Sequence, residues 1–384
     1  MGLGYRLRDF KISPDIIYGR GAINLLTKYV NSFGGVAFLV TGRKSMKKAG
    51  VTDKIRAQLL KENIKTVIFD EVDEDPCMEI IDEAVEIARK ERVDFVIGLG
   101  GGSALDAGKA IAGIFGENCS VKEFVLHKRP ITKKGLKFVA CPTTSGSGTE
   151  VTKNAVLTIK VIPAKKSITS PYLIPDLAIV DPELTLSLPE KYTAGCGLDA
   201  LTHAIEAYTS INAFEITDTL ALRAISLIGE SLITAYREPE NIEAREKMAW
   251  ASNLAGMAFS NGGLGAAHAL AHPLGIYFKI PHGIINAVLL TSVMKFNLDA
   301  RNGKFLKIAC ALSRDKKAKH PREAVERVEH LKRGLNLNMG LHDFGIKKKD
   351  FPALAEGTKY SASIKSNPIP CGKDELIKIL EMAY

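Results

Sequence analysis

None of the six cysteines in this chain belongs to a Cys-x-x-Cys pair, so a zinc knuckle is excluded. Cys77, Cys119, Cys141, Cys196, Cys310 and Cys371 are too scattered over 384 residues to form a disulfide framework. A reducing, cytoplasmic setting is therefore expected. Apolar runs stay far below the ~20 residues of a membrane-spanning helix, and no membrane association is expected. Met1 to Asp15 mixes Arg6, Arg8, Asp9 and Lys11 with single apolar residues, and lacks the apolar core and small-residue cleavage site of a secretory signal. The net charge of +9 comes without a basic stripe interleaved with aromatics. It falls instead in clusters such as Lys316, Lys317, Lys319 and Lys347 to Lys349, which read as solvated faces, so no nucleic-acid partner is expected. Repeats and low-complexity linkers are absent as well.

What is present is a globular composition, 46% hydrophobic and 25% charged, in a chain too long for one ordinary core. The first half alternates strand-like and helical runs. Strands are expected at 36–41, 66–69, 94–100, 138–141 and 177–180, with helical stretches to about residue 62 and over 78–92. That alternation predicts an α/β N-terminal domain with a parallel sheet covered on both faces. Beyond Asp181-Pro182 and Leu188-Pro189 strand-like runs nearly vanish, and 194–210, 216–236, 242–260 and 264–278 have helical periodicity. The boundary is placed near residue 186, giving an α/β nucleotide-binding domain over 1–186 and an all-α metal-binding and catalytic domain over 187–384.

The third strand runs into Gly98-Leu-Gly-Gly-Gly-Ser103 and then a helix through Ala104, Ala107 and Ala110. Glycines allow close backbone approach, and the free amides of a helix N-terminus attract an anion such as a diphosphate. The turn is not a phosphate loop of the NTPase kind, because Gly108-Lys109 is followed by Ala110 rather than Ser or Thr. Pro142-Thr-Thr-Ser-Gly-Ser-Gly-Thr-Glu150 places hydroxyls at the carboxyl end of another strand, where doubly wound sheets bind ligands.

Histidine placement carries the strongest signal. Asp199 and His203 are four apart on one helical face, as are His268 and His272, and His282 follows ten residues later. Singly, each would be an ordinary core or surface histidine, as His127, His320, His330 and His342 are read. Together, in Ala/Gly/Leu-rich helices, they would be costly to bury without a shared cation. An Asp plus three His suits Fe²⁺, Zn²⁺, Mn²⁺ or Co²⁺, and four protein ligands plus an open position exceed tetrahedral coordination, which favours Fe²⁺ over a catalytic Zn²⁺.

The run Gly265-x-x-His268-x-x-Ala271-His272-x-x-Gly275-x₅-Pro281-His282-Gly283 resembles the signature of iron-containing alcohol dehydrogenases. Gly100 to Ser103 with Asp106 and Lys109, the 142–150 loop, and Gly197-Leu-Asp-Ala-Leu-Thr-His203 are similar to further blocks of that family, in its order, so that the resemblance covers nearly the whole chain. It implies metal ligands Asp199, His203, His268 and His282, with His272 lining the active site as a catalytic residue. It also implies cofactor contacts from Gly101, Gly102, Ser103, Asp106, Thr143, Thr144, Ser147 and Lys165, and a homodimer. Two departures concern the cofactor. The family's Thr-Asp after the first strand is Thr41-Gly42-Arg43-Lys44 here, and its Asn-Pro is Asp75-Pro76. Loss of a carboxylate at Gly42, beside Arg43, predicts NADP in preference to NAD. The implied chemistry is hydride transfer between a small alcohol or aldehyde and NAD(P). A glycerol or polyol dehydrogenase, or a dehydroquinate-synthase-like enzyme, is the nearest rival, and a non-catalytic metal or nucleotide binder is the rival from another class.

Overall fold

The computed structural model describes residues 10–11, 14–160, 164–313 and 317–384; the N-terminal reading over Met1 to Asp15 falls largely, and Lys316 wholly, outside these. Six strands form one parallel sheet: β1 (Asp15–Tyr18), β2 (Val36–Gly42), β3 (Lys65–Val72), β4 (Phe95–Gly100), β5 (Lys137–Pro142) and β8 (Leu177–Val180). Their spatial order is β1-β8-β5-β4-β2-β3. β6 (Asn154–Ile159) and β7 (Ala164–Thr169) make a separate antiparallel hairpin. Every residue of the central β4 is buried, which is why Phe-Val-Ile-Gly-Leu-Gly reads as a continuous apolar run rather than an alternation. Helices α1 (Val51–Lys61), α2 (Met78–Lys90) and α3 (Gly102–Ile114) provide the cover and the crossovers. The chain steps outward from β2 to β3 and then returns to β4 on the other side of β2. The strand order therefore reverses between β2 and β4, the kind of crevice where such sheets bind ligands.

After β8 the chain is helical: α4 (Glu190–Thr209), α5 (Glu215–Arg237), α6 (Ile242–Gly262), α7 (Ala266–Phe278), α8 (His282–Asn297), α9 (Asn302–Leu312), α10 (Glu323–Gly334), α11 (Phe351–Gly357) and α12 (Lys373–Met382). The expected class, a parallel α/β half followed by an all-α half, is what the chain adopts. α4 lies at the centre and is buried over most of its length, through Leu198, Ala200, Leu201, Ala204 and Tyr208. No helix among the described residues is long and apolar enough to cross a membrane.

The 142–150 loop joins the two halves. Lys109 of α3, 1% exposed, sends its ammonium to the Thr149 carbonyl (2.7 Å) and hydroxyl (2.8 Å), the Thr152 hydroxyl (3.0 Å) and the Asn154 carbonyl (2.6 Å). Burial pulls the Lys109 amine down to about 8, against the opposing charges of Asp106 and Glu150. From the other side, Asn253 of α6 donates to buried Glu150 at 3.2 Å. Gly148, at φ +60°, lies flat on α6, where a Cβ on Gly256 would stand 2.5 Å from the Gly148 carbonyl oxygen. Gly256→Ala is expected to lower unfolding stability by about 1–3 kcal/mol through this overpacking. Gly303→Ala, in open space at the start of α9, should be neutral or stabilising by up to about 1 kcal/mol. Urea titration of both variants against the parent checks the contrast.

Candidate metal and cofactor site

Asp199 and His203 lie one turn apart on α4, His268 and His272 one turn apart on α7, and His282 opens α8. The α8 N-terminus abuts α4 because Gly283 has no side chain; a Cβ there would be 2.4 Å from the Gly195 carbonyl oxygen. That contact brings His282 over the Asp199 face. Ligand atoms of Asp199, His268 and His282 all lie within 4.8 Å of one another. His268 Nε2 is 3.6 Å, and His282 Nε2 3.8 Å, from Asp199 Oδ1. His203 is not in that trio. Its ring stacks between Phe259 (4.4 Å) and His268 (4.3 Å), and its Nδ1 faces the Gly146 carbonyl at 3.3 Å.

The donor set fits a divalent cation on two structural grounds. First, Asn286 Nδ2 occupies the middle of the trio, 2.7 Å from Asp199 Oδ1, 3.1 Å from His282 Nε2 and 3.2 Å from His268 Nε2. One amide with two hydrogens faces three ligand atoms, while Asn286 Oδ1 is buried without a hydrogen-bond partner. Second, two buried carboxylates, Asp199 and Glu206, flank His268 and leave the pocket in need of positive charge. Burial alone would lower the His268 pKa, but these two carboxylates outweigh it and raise it to about 9. Burial alone would raise the Asp199 carboxyl, yet His203, His282 and His268 together hold it well below the usual carboxylate range. Burial depresses His203 to about 4 and takes His282 well below the ordinary imidazole value.

His272 also lies at this site, 6.0 Å ring to ring from His282, and its buried Nδ1 has no partner. Burial, then the charges of Lys165 and His268, push it down to about 3. With Lys165, Pro273, Ile276 and Tyr360 it lines a cavity of about 250 Å³. Lys165 itself pairs with Asp75 at 2.6 Å, and Asp75, at φ +61°, donates its N–H to Ser103 Oγ at 3.3 Å.

The two loops expected to meet the cofactor pack face to face. A Cβ on Gly101 would meet Thr144 at 3.3 Å, and one on Gly102 would meet Ser147 at 3.0 Å. Thr143 is buried and donates its N–H to the Gly100 carbonyl at 3.0 Å. The Asp106 carboxylate accepts from the Thr149 hydroxyl and, at 3.0 Å, from the Val156 N–H. Gly42 ends β2, next to β4, where a side chain would find ordinary contact with the Val72 carbonyl at 3.6 Å. Arg43 is held by Asp73 (2.6 Å) and Glu71 (3.1 Å) on the exposed rim. Sequence reasoning missed Asn286 and Glu206. Their spacing was the available signal, since Asn286 is four residues after His282 and Glu206 three after His203 in otherwise apolar helices.

Residues 13–182 match the Iron-containing alcohol dehydrogenase family, and residues 193–384 match the Fe-containing alcohol dehydrogenase family, C-terminal. A NADPH-dependent butanol dehydrogenase from Clostridium saccharobutylicum is 38% identical, covering 98% of this chain and 97% of that one. A 1,3-propanediol dehydrogenase from Citrobacter freundii is 36% identical, covering 100% of both. The crystal structure of a 1,3-propanediol oxidoreductase superposes with a TM-score of 0.94 at 35% identity, over 99% of this chain and 100% of the other.

Metal-free protein given Fe²⁺ or Zn²⁺ at about a hundred times its Kd should gain roughly 2.7 kcal/mol of stability. His268→Ala and His282→Ala should lose both that gain and the bound metal. Thermal melts paired with elemental analysis read the result, and full occupancy in both variants would disprove the trio.

Proposed function

The chain belongs to the iron-containing alcohol dehydrogenase family and is an alcohol dehydrogenase, and from that premise we propose which residues carry the reaction. The overall change is alcohol plus NAD(P)⁺ to aldehyde or ketone plus NAD(P)H and a proton. The observation that carries the reading is the convergence of Asp199, His268 and His282 on one buried point beside the glycine-rich crevice. When bound, a divalent ion supplies Lewis acidity toward the substrate oxygen and the nicotinamide supplies the hydride acceptor. Asp199, His268 and His282 hold the ion, with His203, stacked on His268, as the fourth ligand; Fe²⁺ is proposed, with Zn²⁺ as the alternative. Gly101, Gly102 and the amides at the start of α3 take the diphosphate. Thr144 and Ser147 fix its position from the facing loop. The division of labour follows the 1–186 and 187–384 domains, in a cytoplasmic homodimer.

Burial keeps the His272 imidazole neutral near pH 7, the residue lines the cavity it shares with Lys165, and its buried Nδ1 has no hydrogen-bond partner. We assign it the hydrogen-bonding relay by which the substrate hydroxyl proton reaches water. His272→Ala should keep most of its metal while kcat falls on the order of 100-fold. Metal loss equal to that of His268→Ala would make it a ligand instead.

We further propose a preference for NADP over NAD. It rests on Gly42, which puts no carboxylate beside the ribose, and it is in keeping with the NADPH-dependent relative. Arg43 must exchange Asp73 and Glu71 for a 2′-phosphate, a small cost among exposed groups. Gly42→Asp should move the kcat/KM ratio toward NAD by roughly tenfold to a hundredfold. Arg43→Ala should move it the same way by less. A substrate panel run with both cofactors on metal-loaded protein tests the activity and the preference together. A wild-type preference for NAD, or an unchanged ratio in Gly42→Asp, would refute the preference.

A further inference from the structure

Glu206 lies on the same face of α4 as Asp199 and His203, seven residues beyond the first and three beyond the second. It is 4% exposed, and among the described residues no lysine or arginine pairs with it. Its partners all belong to the first turn of α7. Oε2 accepts from the Gly265 N–H at 2.9 Å and faces His268 Nδ1 at 2.7 Å, while Oε1 accepts from the Ala267 N–H at 2.7 Å. The next amide, Ala266 N–H, is taken by Asn367 Oδ1 at 3.2 Å. α7 has no side-chain cap of its own, because Gly265 stands at the N-cap position. Glu206 thus serves as the cap from another helix, with its negative charge at the positive end of the α7 dipole.

We propose that Glu206 is the positioning residue for His268. It holds the proton on Nδ1, so that Nε2 offers its lone pair to the point shared with Asp199 and His282, and it locks the α7 first turn that carries His268 to the α4 face that carries Asp199. This rests on the reading of that point as a cation site. A carboxylate behind a metal-binding histidine fixes ring orientation and tautomer and raises ligand basicity. Here the same two oxygens also set the helix on which the histidine rides. Gly265 follows from this geometry, since a Cβ there would be 2.9 Å from Glu206 Oε1 and 2.8 Å from Asn367 Oδ1.

The test is Co²⁺ binding to the metal-free full chain, followed by chelator competition and by the visible spectrum of bound cobalt, in wild type, Glu206→Gln and Gly265→Ala. In Glu206→Gln an amide NH₂ must face an N–H donor wherever it turns. Co²⁺ affinity should fall about 10- to 100-fold, with an altered cobalt spectrum. Gly265→Ala keeps the charge but displaces the carboxylate, and should weaken Co²⁺ binding in the same direction. Should Glu206→Gln fail to fold, the Gly265→Ala titration decides. Thr209→Ala removes a hydroxyl bonded to the Ile205 and Glu206 backbone carbonyls of α4 but leaves every partner of the Glu206 carboxylate in place, and should retain wild-type affinity. A purely structural role would lower the melting temperature of Glu206→Gln but leave its cobalt affinity and spectrum unchanged, and that result overturns the proposal. Failure of the wild type itself to take up Co²⁺ overturns the site reading, and the proposal with it.

Discussion

Two carboxylates buried on one face of α4, Asp199 and Glu206, set the terms for the helical half of the molecule. A carboxylate out of water is tolerable only with hydrogen bonds and opposite charge around it. Three helices supply these. α7 brings amide hydrogens and His268, α8 brings His282 and Asn286, and α4 itself brings His203. His268 stands between both carboxylates, and their combined pull exceeds its own desolvation. The cluster therefore calls for a proton or a cation at that point. A divalent cation answers the demand more fully, because it meets all three ligand atoms that Asn286 Nδ2 cannot satisfy with two hydrogens.

A second constraint links this charge to the sheet. Hydride transfer tolerates little misplacement of the reacting carbons, so the cofactor crevice and the cation point must keep a fixed spacing. The 142–150 loop provides it. One side of the loop presents Thr144 and Ser147 to Gly101 and Gly102. On the other side Gly146 accepts from or faces His203 Nδ1, and Gly148 lies against α6. Lys109 and Asp106 anchor the loop from below through Thr149. Asp106 and Lys109 thus hold this loop in place; the family resemblance implies cofactor contact for Asp106, whose carboxylate here accepts from Thr149 and Val156.

Much of this was legible in the residues. The strands over 36–42, 95–100, 137–142 and 177–180 stand out because a parallel sheet covered on both faces is written as short apolar runs. Asp199, His268, His272 and His282 are conspicuous because carboxylates and imidazoles are rare among Ala and Leu. The β6–β7 hairpin escaped notice because Ala-Lys-Lys-Ser-Ile-Thr carries two lysines, with Lys165 buried only by tertiary contacts. Glu206 and Asn286 escaped because their helical spacing from His203 and His282 gains meaning only once their partners on other helices are known. His203 shows the reverse: helical spacing aligns it with Asp199, but stacking against Phe259 and His268 determines where its ring faces.

The rim of the crevice shows how charge and position divide the work at the cofactor end. Glu71, Asp73, Glu74 and Asp75 crowd one short segment, and each engages a partner: Arg43 for the first two, the Tyr192 hydroxyl for Glu74, Lys165 for Asp75. Arg43 and Lys165 are therefore already paired with acids. Net rim charge cannot be what attracts an anionic diphosphate. The amides of Gly101 and Gly102 at the start of α3 are fixed donors independent of these acids, the arrangement that suits an anion at a helix N-terminus. Because Asp75 donates its own N–H to Ser103, the acidic segment is fastened to the same turn. Lys165, through its pair with Asp75, is tied to that turn as well as to the cavity wall it shares with His272.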